Sequence, residues 1–158
     1  MLIAGLARQS QFLEDKMQKL SEETGAIMTE RFGHDNVIAL ATIDDGVPCV
    51  RYVNAFYENK SFYVITYALS GKMCQIQKNP VVALAGDWFT AHGKAESLGF
   101  FARSENAAIA EKLRSAFASW IDNGHNNFSD ENTCILRIRL TDGVLWSHGT
   151  CHDIDFSD

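Results

Sequence analysis

The residues best placed to do chemistry are cations set among apolar neighbours. Val47 to Tyr57 alternates as a strand, with Val50, Tyr52, Asn54 and Phe56 on one face and Cys49, Arg51, Val53, Ala55 and Tyr57 on the other. Arg51 therefore sits mid-strand in an apolar row, which is costly for a guanidinium without an anionic partner. Either an internal carboxylate or a bound ligand can fill that role. A second cation lies in Phe62–Pro80, FYVITYALSGKMCQIQKNP, around which the chain is organised. Its first residues, Phe62 to Tyr67, read as a buried strand. Ala68 to Gly71 form a small-residue elbow, Lys72 to Lys78 an amphipathic helix, and Asn79-Pro80 its stop. Thr66, Ser70, Gly71 and Lys72 thus surround a helix N-terminus, where free amides, the helix dipole and a lysine suit a phosphate or other anion. An ordinary strand–helix turn with a serine cap satisfies the same spacing.

Other candidates are weaker. Trp88 and Phe89 near a strand end suit stacking on a planar ring, or a core or dimer interface. His92 can bind a ligand or cap a sheet edge, and His34 reads as a solvated turn residue. His148, Cys151 and His152 form a metal-like cluster, but Gly149-Thr150 opposes the helix that would put both imidazoles on one face. No metal site is expected.

The elements that must position these residues fit one domain over 1–158. The 158 residues are 46% hydrophobic, enough for a real core, and the net charge of −6 without a basic cluster argues against nucleic acid and anionic membranes. Four scattered cysteines without a C-x-x-C pair read as thiols of a reduced, cytoplasmic protein. The apolar start MLIAGLARQS lacks the basic region and length of a signal peptide, and no run is long enough to span a bilayer.

In order, residues 1–33 form an N-terminal helical segment, with a helix over 9–32 interrupted near Thr24-Gly25, and 34–158 form a barrel. Val37–Ile43 is a buried strand, Asp44-Asp45-Gly46 a hairpin turn, and Glu58-Asn59-Lys60 a second turn. Val81–Phe89 and His92–Glu96 continue the sheet, with Gly86 a bulge candidate. Ser104–Ile121 is the strongest helix, with one apolar face including Leu113, Phe117 and Trp120. Thr133–Leu140 alternates as a strand, Thr141-Asp142-Gly143 reads as a turn, and Val144–Trp146 opens a last strand. Tight turns between antiparallel strands indicate a meander or small barrel.

In this order the chain resembles the pyridoxamine 5′-phosphate oxidase-like family of flavin-binding split barrels. The likeness rests on VIALATIDDGVPCVRYVNAFYENKSFYVIT, S-G-K-M-x-x-I-x-x-N-P, VVALAGDWF and HGKAE, spanning about Val37 to Glu96 with a weaker continuation to Trp146. It implies a mainly β fold with flanking helices: an antiparallel six- to seven-stranded split β-barrel of the FMN-binding type, with helices at 9–32, 72–79 and 104–121. It further implies FMN as cofactor and a homodimer with flavin sites at the interface. Arg51, Tyr52, Val53 and Asn54 would run along the FMN, Thr66 and Tyr67 would sit near the ring or ribityl chain, and Ser70 and Lys72 would hold the phosphate. Trp88 joins this set as a stacking candidate.

Two departures are specific. Gly71 stands where many members carry arginine, and the Trp-…-Arg-x-His type of segment used for vitamin B6 substrates is absent after Trp146. The resemblance therefore implies an FMN-dependent oxidoreductase that uses NADH or NADPH to reduce a small acceptor, rather than a B6 oxidase. The alternatives are a flavin carrier or sensor without turnover, and a haem binder using His92, His125 or His148.

Overall fold

The structure, a computed structural model, describes residues 17–158. The part of the expected 9–32 helix that precedes residue 17 lies outside the described residues. Strand β1 is short (Gln18–Lys19), and helix α1 runs Glu22–Phe32. It starts at Ser21, whose Oγ accepts from the Thr24 amide (3.1 Å) while Thr24 Oγ1 accepts from the Ser21 amide (3.1 Å). Thr24-Gly25 lies inside this helix and does not interrupt it.

The strands that follow are β2 (Asn36–Asp44), β3 (Val47–Glu58) and β4 (Ser61–Tyr67), then helix α2 (Gly71–Lys78). Next come β5 (Val81–Gly86), β6 (Phe89–Phe100), a 3₁₀ turn at Ser104–Asn106 and helix α3 (Ala107–Ala116). Strands β7 (Thr133–Ser147) and β8 (Thr150–Asp155) end the chain. The neighbour order β7-β4-β3-β2-β5-β6 closes through β6–β7 pairing into a six-stranded antiparallel barrel. Strand β8 pairs with the second half of β7, and β1 joins β8 in parallel.

The hairpins at Asp45-Gly46 and Asn59-Lys60 follow the sequence reading, with positive φ at all four residues. Elsewhere the boundaries shift. Thr141-Asp142-Gly143 is not a turn but the middle of β7. Gly143 is there for space, since a Cβ would lie 3.0 Å from the Phe89 ring and 3.1 Å from that of Phe156. The turn is instead at His148-Gly149, and the tail read as metal-like is strand β8. The expected 104–121 helix is regular only over Ala107–Ala116; Phe117 and Ile121 stay buried in the irregular turns beyond it.

Inward-facing Ile38, Leu40, Phe62, Val64, Val82, Leu84, Leu136 and Ile138 fill the barrel. Helix α1 plugs one end with Met28 and Phe32, whose ring centroid lies 5.5 Å from those of both Phe62 and Phe89. Helix α2 closes the other end, here the elbow end, with Met73 and Ile76. A second cluster lies outside the barrel, where Leu113, Phe117 and Ile121 pack on Ile135 and Phe101. The outer face of β2, β5 and the first half of β3 is uncovered. Tyr52, Ala39 and Ala85 form one cross-strand row there, and Val50, Ala41 and Ala83 the next. Tyr52 is 80% exposed and Val50 71%. Among the described residues no helix is long and apolar enough to cross a membrane.

Phe32 is the largest side chain of the plug and has no exposed surface, so Phe32→Ala leaves a cavity at one barrel end. Chemical denaturation should show a loss of about 3–5 kcal/mol, the range for deleting a buried aromatic ring. A loss below about 1 kcal/mol would mean that the barrel end does not depend on this plug.

Candidate functional site

Strands β3 and β4 pair only through Phe56–Tyr63, Tyr57–Phe62 and Glu58–Ser61. Beyond these pairs β4 stays with β7 up to Tyr67–Thr133, so it leaves β3. The edge of β3 away from β2 is therefore unpaired from Val47 to Ala55, and a split opens between it and the end of β4. Main-chain amides and carbonyls on such an edge are open to a ligand.

Arg51 faces inward on this part of β3, opposite Leu40. Its Nη1 donates to Thr42 Oγ1 (2.6 Å) and to the Leu40 carbonyl (3.3 Å), and its Nη2 donates to Gln75 Oε1 (3.1 Å). Thr42 Oγ1 also donates to Gln75 Oε1 (2.5 Å). Of the two partners left open by the sequence, an internal carboxylate is not the one found. The described residues hold Arg51 by neutral oxygens, and Nε–H and one Nη2–H remain for another acceptor.

Gln75 belongs to α2, one turn after Lys72, so both lie on the helix face turned toward Arg51. Burial lowers the Lys72 pKa, and the Arg51 charge lowers it further, against a small opposing effect from Cys134. No ion pair among the described residues uses Arg51 or Lys72. Two cations are thus held near each other without a counter-charge.

Ser70 precedes α2 in an extended conformation, but its hydroxyl caps nothing. Its Oγ is buried and has no hydrogen-bond partner. Its carbonyl accepts from the Met73 and Cys74 amides (3.0 and 3.1 Å), which leaves the Gly71 and Lys72 amides as first-turn donors without intrahelical partners. An orphan hydroxyl of this kind costs about 1–3 kcal/mol. Two cations, free amides and an unpaired hydroxyl together suit a phosphate or other anion, and the simple serine cap is not formed.

Thr66 faces inward beside Cys134 at the elbow end, and Tyr67 faces outward opposite Thr133. Burial raises the Cys134 thiol pKa. Val53 faces the interior below Arg51, whereas Tyr52 and Asn54 are on the outer face. Asn54 Nδ2 donates to Asp35 Oδ1 (3.0 Å), and Trp120 Nε1 donates to Asp35 Oδ2 (2.7 Å). The structure therefore brings Arg51, Thr66, Ser70 and Lys72 to one barrel end, with the main chain of Tyr52 to Asn54 along the split.

Trp88 is placed elsewhere. It occupies the β5–β6 turn with φ 50° and is 73% exposed. In that hairpin Val81 pairs with Lys94 at the elbow end and Gly86 with Phe89 at the other, so Trp88 lies at the opposite end of the same barrel. Arg31 Nη1 fixes the turn by donating to the carbonyls of Asp87 (3.1 Å) and Trp146 (2.9 Å).

Thr42 and Gln75 are site residues that the sequence reading missed. Thr42 has a signal, a hydroxyl at an inward position of VIALATI; Gln75 has one in its spacing of three from Lys72.

The comparisons with known proteins come down on the same fold. The family model described as pyridoxamine 5′-phosphate oxidase matches residues 26–147. Among curated proteins, none matches the chain. A FAD-binding protein from Mesorhizobium loti superposes with a TM-score of 0.60 at 18% identity, covering 80% of this chain and 94% of that one. A NimC/NimA family protein from Clostridium acetobutylicum gives 0.61 at 18% identity, with 81% and 91% covered. General Stress Protein 26 from Bacillus anthracis gives 0.58 at 18% identity, with 75% and 90% covered.

The lowered Lys72 pKa makes anion binding pH-dependent. Lys72 loses its charge earlier than an ordinary lysine as pH rises, so the affinity for an anion held there should fall through the alkaline range in a titration with inorganic phosphate. Lys72→Arg, which stays charged, should remove the fall. Without ligand the sign reverses: the unfolded chain holds the proton longer, so stability attributable to Lys72 rises with pH between the folded and unfolded pKa values. A flat affinity profile would place Lys72 outside the anion site.

Proposed function

We propose, for a chain that belongs to the pyridoxamine 5′-phosphate oxidase family, that the β3–β4 split holds FMN and that the protein is an oxidoreductase acting between NADH or NADPH and a small acceptor. The observation that carries the reading is the convergence of Arg51, Lys72 and the orphan Ser70 hydroxyl, with no carboxylate paired to either cation among the described residues. The Mesorhizobium loti neighbour is described as FAD-binding, which supports a flavin ligand. Bound FMN would supply the hydride chemistry, and the chain's residues bind and orient it.

In this reading Ser70, Lys72 and the first amides of α2 hold the phosphate. Thr42 and Gln75 keep the Arg51 guanidinium fixed at the split, where it stabilises negative charge on the ligand. The open edge of Tyr52, Val53 and Asn54 supplies main-chain hydrogen bonds, with Thr66 and Tyr67 across the split. Four unpaired cysteines support a reducing, cytoplasmic setting. The absence of the Trp-…-Arg-x-His type of segment directs the reading away from vitamin B6 oxidation.

We further infer that the uncovered β2–β3–β5 face carries a second copy of the chain. Exposed Val37, Val50, Tyr52 and Val81 with small alanines between them form an apolar sheet face that a homodimer would bury. Trp88, remote from the elbow of its own barrel, could meet a flavin only across such an interface.

The assigned residues include no histidine or carboxylate, which favours as second reading a flavin carrier or sensor without turnover. Haem ranks below both, since His92 lies on the outer face of β6, His125 in the loop after α3 and His148 in the β7–β8 turn, none of them in the split.

Lys72→Ala should weaken FMN binding by about 1–3 kcal/mol, the cost of one charge-assisted partner. Riboflavin should bind more weakly than FMN and be little affected by the substitution. Equal FMN affinities for the two proteins would mean the phosphate lies elsewhere. Anaerobic bleaching of the bound flavin by NADH or NADPH supports the enzyme; stable colour supports the carrier.

Tyr52→Asp should convert a dimer to monomer in sedimentation equilibrium, because it buries a charge in an apolar interface. A wild-type monomer would overturn the dimer.

A further inference from the structure

We propose that a cavity between α2 and β6 is a second binding site, and that it takes a neutral planar molecule with an N–H donor beside an acceptor on one edge, such as an aromatic carboxamide. The site is independent of the flavin reading, because α2 stands between the two.

Helix α2 crosses the barrel end from β4 to β5, with β3 and β2 on one side and β6 on the other. Lys72 and Gln75 face Arg51. Met73, Ile76 and Gln77 lie on a different face of the helix and line a cavity of about 450 Å³, whose far wall is Ala95, Glu96 and Ser97 of β6. That volume falls in the range of small-molecule pockets.

The far wall is a sheet edge left open by Pro80. The Ala95 amide donates to the Pro80 carbonyl (2.8 Å), and in an antiparallel pair the Ala95 carbonyl would receive a bond in return. Proline has no amide to give it. The β5 ladder starts at Val81–Lys94, so from Ala95 onward the edge of β6 away from β7 has no strand beside it. Main-chain groups of alternate residues point to the same edge of a strand, which directs the Ser97 amide the same way as the Ala95 carbonyl. The cavity is therefore offered an acceptor and, two residues on, a donor. Ala95 is only 3% exposed, so a donor reaches its carbonyl through the cavity. Gln77 adds a carboxamide from the helix side.

The charges select a neutral ligand. Glu96 is the one charged residue in the lining among the described residues. Its carboxylate accepts from Arg137 Nε (2.8 Å) and Arg137 Nη2, and lies 3.5 Å from Arg139 Nε. A cation gains little from a carboxylate that is already paired, and an anion finds no cation in the lining. Met73, Ile76 and Ala68 leave apolar surface for a flat ring. The two sides of α2 thus differ in kind, one suited to an anion and the other to an uncharged amide.

The test is a titration of the isotope-labelled protein with benzamide, N,N-dimethylbenzamide and benzoate, followed by amide chemical shifts. Benzamide should move the Ser97 amide resonance and leave those of Gly71 and Lys72 in place. Methylating away its N–H donors, or replacing the amide by a carboxylate, should each weaken binding at this cavity by about tenfold. Ser97→Pro deletes a donor that the β6–β7 ladder does not use and should weaken benzamide by about tenfold, with bound-state shifts read at Glu96. Ser97→Ala keeps the amide and should bind benzamide as the unaltered protein does. Equal affinities for the three compounds would overturn the proposal, because a merely apolar cleft does not distinguish them. Benzamide shifts confined to the Ser70–Lys72 elbow, or none at Ser97 up to the solubility limit, would overturn it too, as would unchanged affinity in a folded Ser97→Pro protein. Should that variant fail to fold, the three compounds decide alone.

Discussion

The structure depends on a competition for β4. That strand can remain hydrogen-bonded to β3 or to β7 along its full length, but a closed and twisted sheet bends it toward only one of them. It forms seven register pairs with β7 and three with β3. The balance closes the barrel on one side and opens it on the other, and the unpaired length of β3 is the one that carries Arg51. The elbow after Tyr67 then begins beside β7, at Thr133, and α2 must cross the barrel end to reach β5. That crossing sets Lys72 and Gln75 above Arg51. Split, elbow and cation pair are one consequence of how β4 is shared.

Holding two cations together with no carboxylate paired to either among the described residues costs free energy that the fold must offset. Thr42 and Gln75 make it possible, since their oxygens fix the guanidinium without cancelling its charge. A carboxylate at either position would stabilise the ligand-free protein more and would compete with any anion. The depressed Lys72 pKa records the cost that remains. Such pre-placed, uncancelled charge requires little reorganisation when a counter-charge arrives.

The sequence makes the barrel and half of the site legible. Strand alternation puts Arg51 inside, turn chemistry locates Asp45-Gly46 and Asn59-Lys60, and the Ser70–Lys72 elbow stands out by itself. The rest depends on tertiary geometry. The partner of Arg51 was undecidable because Gln75 is 24 residues away on another element. Gly143 reads as a turn after Thr141-Asp142, and only the Phe89 and Phe156 rings explain it as a close-packed strand residue. The Ser104–Ile121 pattern is helical in its apolar spacing, yet after Ala116 the same side chains are buried by irregular turns. Trp88 could be assigned to a strand end, but not to which end of a barrel.

The short β1–β8 pairing has a consequence for how the chain is wired. Gln18 and Lys19 lie beside Ile154 and Asp155, and the Lys19 ammonium reaches Ser157 and the final residue, Asp158. Lys60, at the β3–β4 hairpin, meets Asp158 too, so this junction lies at the end of the barrel away from the elbow. Load taken up by β1, β8 and the last residues therefore enters the barrel at the end remote from the split, and a break in this junction would leave the pairings around Arg51 in place.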